Sequence, residues 1–232
     1  MKKLSAFLIA GMFAASAPAQ NGFYLAPSVG AGIGSQTGSF SVLDANGDYT
    51  SKHKSSVLSY SAQIGIGYRY KNWRFQSGIQ YISHGYQMKG LLFSTGFDPA
   101  NPSVVTPGVY KVRFNQIGIP LQAGYAIPLG PRLTLVPGIG VMGAYLLSAQ
   151  SALQHNGSSS PTDWDSGWLK KYGRFTLWGQ VNAQLEYKLS NKISLFGGPS
   201  VQYEFAHLDN SARNNQHAFN LHFNAGVRIN LK

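Results

Sequence analysis

From residue 20 to its end the sequence alternates: bulky apolar side chains fall on one parity and glycine or polar side chains on the other, in eight successive stretches. The clearest is Leu58-Ser59-Tyr60-Ser61-Ala62-Gln63-Ile64-Gly65-Ile66-Gly67-Tyr68-Arg69-Tyr70. A period of two belongs to a β-strand with two chemically different faces. Its repetition at this length predicts an all-β fold, an eight-stranded antiparallel up-and-down β-barrel that spans a membrane.

The predicted strands are Phe23–Gly34, Val57–Tyr70, Trp73–Tyr86, Phe114–Ile127, Leu133–Leu147, Arg174–Leu189, Ile193–Ala206 and Phe219–Leu231. Each exceeds the roughly 9–11 residues that cross a bilayer at a tilt. Lys71-Asn72, Pro128-Leu129-Gly130-Pro131 and Ser190-Asn191-Lys192 read as tight turns. Longer polar connections alternate with them: 35–56, 87–113, 148–172 and 207–218. Short turns at one rim and long loops at the other match outer-membrane barrels, whose turns are periplasmic and whose loops lie outside the cell.

Volume assigns the faces. An eight-stranded barrel has an interior just wide enough for its own side chains. The bulky parity, including Ile64, Ile66, Phe75, Ile79, Ile119, Leu121, Ile139, Val141, Leu195 and Phe223, therefore points outward. The strand glycines share the other parity, where small groups suit a crowded lumen. A soluble lipocalin-like carrier would turn the apolar parity inward. Tyr68, Tyr70, Trp73, Phe75, Tyr125 and Tyr187 beside the short turns, and Tyr81, Tyr86, Tyr145, Phe175, Tyr203, Phe205 and Phe219 toward the long loops, form two expected interfacial girdles.

The chain reads as a signal peptide over residues 1–19 followed by one barrel domain over 20–232. Met1-Lys2-Lys3, an apolar run from Leu4 to Ala15 and Ala17-Pro18-Ala19 have the layout of a cleavable secretory signal, with the cut before Gln20. The run is too short to span a bilayer, which needs roughly 20 residues. The chain has no cysteine, which excludes disulfides and thiolate metal sites. Its formal charge is +11, and losing Lys2 and Lys3 lowers it by two, to +9. An exported chain without a basic stripe does not suit nucleic acid. A basic exterior favours outer-membrane lipids and the phosphates of lipopolysaccharide.

On the lumenal parity, Arg69, Arg74, Arg174, Glu186, Glu204 and Arg228 form a candidate charge network, because buried charges need compensation. It reads as a hydrogen-bonded plug; the alternative is a narrow channel for small solutes, leaning toward anions with two acids against four arginines. The six histidines show no His-x-His or His-Glu-x-x-His spacing, so neither a metal nor a cofactor is expected. His207-Leu208-Asp209-Asn210-Ser211 loosely resembles the His–Ser pair of lipid A deacylases. There the serine stands two residues after the histidine, where this chain has Asp209. A lipid A-modifying enzyme is thus the remoter alternative, and no catalytic residue is assigned.

The final stretch Asn224-Ala225-Gly226-Val227-Arg228-Ile229-Asn230-Leu231 resembles the insertion signal read by the barrel-assembly machinery, with Gly226, Ile229 and Leu231 as its elements and Leu231 in place of the usual terminal aromatic. Phe114-Asn115-Gln116-Ile117-Gly118-Ile119-Pro120-Leu121, with Gly-x-Gly alternation in strands one, two and five, resembles the PorT-like outer-membrane β-barrel domain family of the Bacteroidota. That resemblance implies the fold and an outer-membrane location, and no particular activity. Pro120 also has a local reading, since a strand proline marks a bulge or an unpaired position. The expected role is envelope structure or interaction. The loops would meet an extracellular or periplasmic partner, with Phe97-Asp98-Pro99-Ala100-Asn101-Pro102 and Trp164-Asp165-Ser166-Gly167-Trp168 as candidate contacts.

Overall fold

A computed structural model describes residues 21–37, 39–43, 49–94, 105–155, 158–167, 169, 173–207 and 216–231. The strands are β1 (Gly22–Gln36), β2 (Ser39–Leu43), β3 (Tyr49–His53), β4 (Val57–Tyr70), β5 (Trp73–Ser94), β6 (Val105–Tyr125), β7 (Ile127–Pro128), β8 (Leu133–His155), β9 (Ser158–Asp163), β10 (Phe175–Lys188), β11 (Ile193–His207) and β12 (Ala218–Asn230). Eight of them form one antiparallel sheet in the order β10-β11-β12-β1-β4-β5-β6-β8, and β10 pairs back onto β8. The sheet is a closed eight-stranded barrel with its first and last strands side by side, Tyr24 opposite Asn230. Closure removes the sheet edges within the barrel, the condition for strands in lipid.

The eight expected spans are all present, and the bulky parity faces out: Ile64 is 72% exposed and Ile139 67%. That orientation overturns the lipocalin-like alternative. Lys71 takes a left-handed backbone (φ 53°) in the two-residue turn between Tyr70 and Trp73. At another short turn the Ser190 hydroxyl accepts from the amides of Lys192 (3.2 Å) and Ile193 (3.1 Å).

Three strand prolines sit where one flanking ladder is interrupted. The β5–β6 ladder skips from Ser77↔Leu121 to Gln80↔Gly118 beside Pro120. The β1–β12 ladder skips from Leu25↔Ile229 to Ser28↔Gly226 beside Pro27. The β10–β11 ladder skips from Asn182↔Ser200 to Leu185↔Gly197 beside Pro199. Proline has no N–H to donate, so each one falls on a gap.

The connections at the other rim depart most from expectation. β5 and β6 continue as a paired hairpin to Ser94 and Val105, β8 runs on to His155 with β9 folded against it, and β2 pairs with β3. Much of three predicted loops is therefore sheet. The short alternating segments there are polar on one side and carry no lipid-facing run to announce them.

Lumenal glycines make room for large neighbours. A Cβ on Gly67 would collide with the ring of Tyr24 and lie 2.6 Å from the Phe75 carbonyl oxygen. Gly67→Ala is expected to lower the unfolding free energy of the refolded barrel by about 1–3 kcal/mol. Gly143→Ala, whose Cβ meets nothing within 4 Å, is the matched control. Equal urea midpoints for the two variants would refute this account of the glycines.

Candidate functional site

The lumen is built in layers. Near the short turns, Arg74 and Arg228 each donate through Nη1 to Oε2 of Glu186, and all three side chains are buried. Arg228 also donates to Gln184 Oε1 (3.3 Å). Its guanidinium carbon lies 5.0 Å from the ring centre of Tyr24 and 4.9 Å from that of Phe196. A flat cation suits two aromatic faces, and this contact orients the fork that holds the carboxylate. Arg69 donates to Asn230 Oδ1 (2.7 Å), and Gln122 donates to Gln180 Oε1 (3.2 Å). The void beside this layer measures about 20 Å³, room for about one water.

The six residues expected to form one network are split between the two rims. Glu204 lies in the other half, opposite Trp178, and accepts from the Ala218 amide (3.0 Å). Arg174 stands at the far rim, where its Nη1 donates to the Tyr145 hydroxyl (2.7 Å). Three arginines and one acid thus share the layer near the turns. An ion path through all six would need a continuity that this separation denies.

Midway, His222 Nε2 lies 2.8 Å from Ser59 Oγ, a His–Ser pair that the sequence reading did not single out. The Ser59 hydroxyl donates to the Ser83 carbonyl (2.9 Å). The pair is part of a hydrogen-bonded brace across β4, β5 and β12. The other pair, His207 with Asp209 and Ser211, lies outside the described side chains, as does the segment 97–102.

The half toward the long connections adds apolar clusters to a lumen that also buries His84, Gln116, Thr176, Gln202, Glu204 and Asn220. Ile82, Met142, Ala144, Trp178 and Ala218 form one buried cluster. Tyr86, Val112, Phe114, Leu146, Ala149 and Leu169 form another at the mouth, with Met88, Tyr110 and Trp164 packed against it. Tyr86, expected in the outer girdle, is inside. Trp164, expected as an exposed anchor, meets Phe114 edge-on at 5.8 Å. Its amide donates to the Ala149 carbonyl (2.9 Å), and Leu169 follows in a single helical turn closed on Asp165 (3.1 Å). Lys54 bonds Gln36 (2.9 Å) and Gln216 (2.8 Å) and lies 4.2 Å from the Tyr86 ring centre, tying the first and last long connections over the mouth.

Outside, the pattern inverts at the same height. Along β5, Tyr81 is followed on the outward face by Ser83, Gly85, Gln87 and Lys89, while Ile82, His84, Tyr86 and Met88 point in. Along β6, Ile117 gives way outward to Asn115, Arg113 and Lys111, while Phe114 and Val112 point in. Polar outside and apolar inside is how a barrel packs in water. The membrane boundary therefore runs between Tyr81 and Ser83 and between Ile117 and Asn115. From Ser83 to Ser94 the β5–β6 hairpin continues roughly 36 Å along the strand beyond it, at about 3.3 Å per residue. Neighbouring apolar residues such as Tyr81-Ile82 and Leu146-Leu147, where both parities are bulky, were the available signal of this change.

Among known proteins, the sequence profile described as the outer membrane protein β-barrel domain matches residues 5–169. No curated protein sequence matches the chain. Similar solved structures include Neisserial surface protein A, at 15% identity, covering 91% of this chain and 99% of that one with a TM-score of 0.47. Ail, the attachment invasion locus protein of Yersinia pestis, is 13% identical over 90% of this chain and 99% of its own (TM-score 0.34). The outer membrane protease OmpT of Escherichia coli is 9% identical over 93% and 98% (TM-score 0.42).

Proposed function

Since the chain belongs to the outer membrane protein β-barrel domain family, we propose that it is a sealed barrel of the outer membrane whose working surface is the rigid sheet extension at its long-connection rim. The carrying observation is the apolar double layer around Trp178 and Phe114. Close packing of these apolar clusters above a hydrogen-bonded arginine–glutamate layer favours a structural or interaction role over the anion-leaning channel. Within this reading the rim is extracellular, its partner is an extracellular protein or surface component, and residues 1–19 are the signal that exports the chain.

Two finer assignments are part of the proposal. Kinship with the PorT-like branch is supported by the tasks of its motif residues: Phe114 packs the mouth, and Pro120 sits on a ladder gap. Recognition by the barrel-assembly machinery is supported by Ile229 and Leu231, exposed on the lipid side of the closing strand. Gly226 beside them faces Phe196, whose ring lies 2.6 Å from where its Cβ would stand.

The test uses the absence of cysteine. In cells expressing Ser160→Cys, a membrane-impermeant maleimide added outside should label the protein, whereas Asn191→Cys should stay unlabelled until the outer membrane is opened. The purified barrel should give no discrete conductance steps in planar bilayers. Labelling in the reverse order would sink the orientation, and regular steps would revive the channel.

A further inference from the structure

Three cations stand on the outward face just beyond the membrane boundary. Lys111 and Arg113 are two apart on β6, and Lys89 lies on β5 diagonal to Lys111, since Gln87 pairs with Lys111 and Lys89 with Val109. Same-face neighbours two residues apart in a strand are about 7 Å apart, and the diagonal is about 7–8 Å. Arg113 donates to Ser83 Oγ (3.4 Å) and lies 5.4 Å from the ring centre of Tyr60, both uncharged partners. A guanidinium has five N–H donors, so most remain for a ligand. By register the nearest described acid is Asp163, which pairs with Gln150, itself the partner of Arg113. Two strand spacings put it roughly 10 Å away.

Below the cations the girdle is polar and ordered. Tyr81 donates to Asn115 Oδ1 (3.0 Å), and Asn115 donates to Ser148 Oγ (3.0 Å). The Tyr60 and Tyr81 rings lie 6.3 Å apart. Immediately beneath come Ile117 and Ile119, which face lipid. Apolar wall, hydroxyl-bearing girdle and cations with no paired carboxylate among the described residues follow one another along the same two strands. A lipid with acyl chains, a sugar or glycerol backbone and phosphate presents the matching sequence of groups.

We propose that Lys89, Lys111 and Arg113 form a binding site for the phosphate groups of an outer-leaflet lipid headgroup, with Tyr60, Tyr81, Asn115 and Ser148 lining its lower edge. Arg113 supplies the forked donor that matches phosphate oxygens, and the two lysines act as point charges above it. The position at the leaflet surface rests on the extracellular reading of this rim. The chemistry of the site does not depend on it.

The folded full-length protein, purified in neutral detergent, would be titrated with diphosphorylated lipid A and followed by native mass spectrometry. The variant Lys89→Gln/Lys111→Gln/Arg113→Gln is expected to hold diphosphorylated lipid A at least about tenfold more weakly than wild type. Lys188→Gln/Lys192→Gln, at the opposite rim, should bind as wild type does. Dephosphorylated lipid A should bind wild type as weakly as the phosphorylated lipid binds the triple variant, and millimolar inorganic phosphate should not displace the lipid. Heat-dependent gel migration checks that each variant is closed. Equal binding by wild type and triple variant, indifference to the lipid's phosphates, or displacement by inorganic phosphate would each overturn the site. If the maleimide test instead placed this rim in the periplasm while the binding result held, only the leaflet assignment would fall.

Discussion

Glu186→Gln is expected to destabilise the barrel by about 3–5 kcal/mol, the cost of leaving buried charge uncompensated. Its Oε2 receives Nη1 of both Arg74 and Arg228, and the three side chains are at most 7% exposed. Glutamine keeps the shape but offers one carbonyl and adds two N–H donors facing guanidinium donors. Arg69, half-buried on Asn230, adds a third positive charge to the same layer. Arg74→Met should do much less damage, because it leaves a one-to-one pair between Arg228 and Glu186. Replacing all three by methionine should recover most of the loss, as apolar groups of similar volume do when they replace a buried ion cluster. Urea unfolding of the refolded variants in phospholipid vesicles orders them. A Glu186→Gln barrel within about 1 kcal/mol of wild type would show that water and neutral side chains carry the arginines instead.

The eight spans were legible because lipid imposes the pattern: a wall with hydrocarbon outside and a packed lumen inside must alternate at every step. The second span, Val57–Tyr70, has the bounds read from sequence. The rule ceases where lipid ceases. Beyond Ser83 and Asn115 the two faces exchange roles, so the same periodicity reads as a polar loop unless the inversion is recognised. Tyr86 was misplaced for this reason: an aromatic near a strand end is a girdle residue only while its parity faces lipid. The charge network was legible by parity but not by height. Arg74, Glu186 and Arg228 stand within a few residues of short turns or of the chain end and so share a layer, whereas Arg174 and Glu204 lie beside long connections. Counting residues from the turns separates them. The Ser59–His222 brace links positions 163 apart in sequence and depends on the β1–β12 closure that brings the ends together, which no local pattern encodes.

Phe114→Ala is expected to cost about 3–5 kcal/mol, the range for removing a fully buried aromatic, and to release the third long connection from the mouth. Phe114 is 1% exposed, and its ring lies 5.5 Å from that of His84, 6.2 Å from Tyr86 and 5.8 Å from Trp164. Those three residues stand at successive heights, two on the barrel wall and one on the segment folded over it. Truncation leaves a cavity between wall and cap that neither can fill, because the strands are fixed by their ladders. Trypsin should then cut at the long-connection rim on the order of tenfold faster, while the membrane-embedded strands stay protected, since local opening is set by contacts at that place. The variant should still be electrically silent. Trp178 and its neighbours lie below the lost ring, and the Arg74–Glu186–Arg228 layer lies below them, each blocking the bore independently. Discrete conductance from Phe114→Ala alone would mean that the mouth is the sole seal and that the deeper layers already admit ions. Silence with faster cleavage would assign the mouth cluster to holding the outer surface rigid, the property that a surface presented to a partner requires.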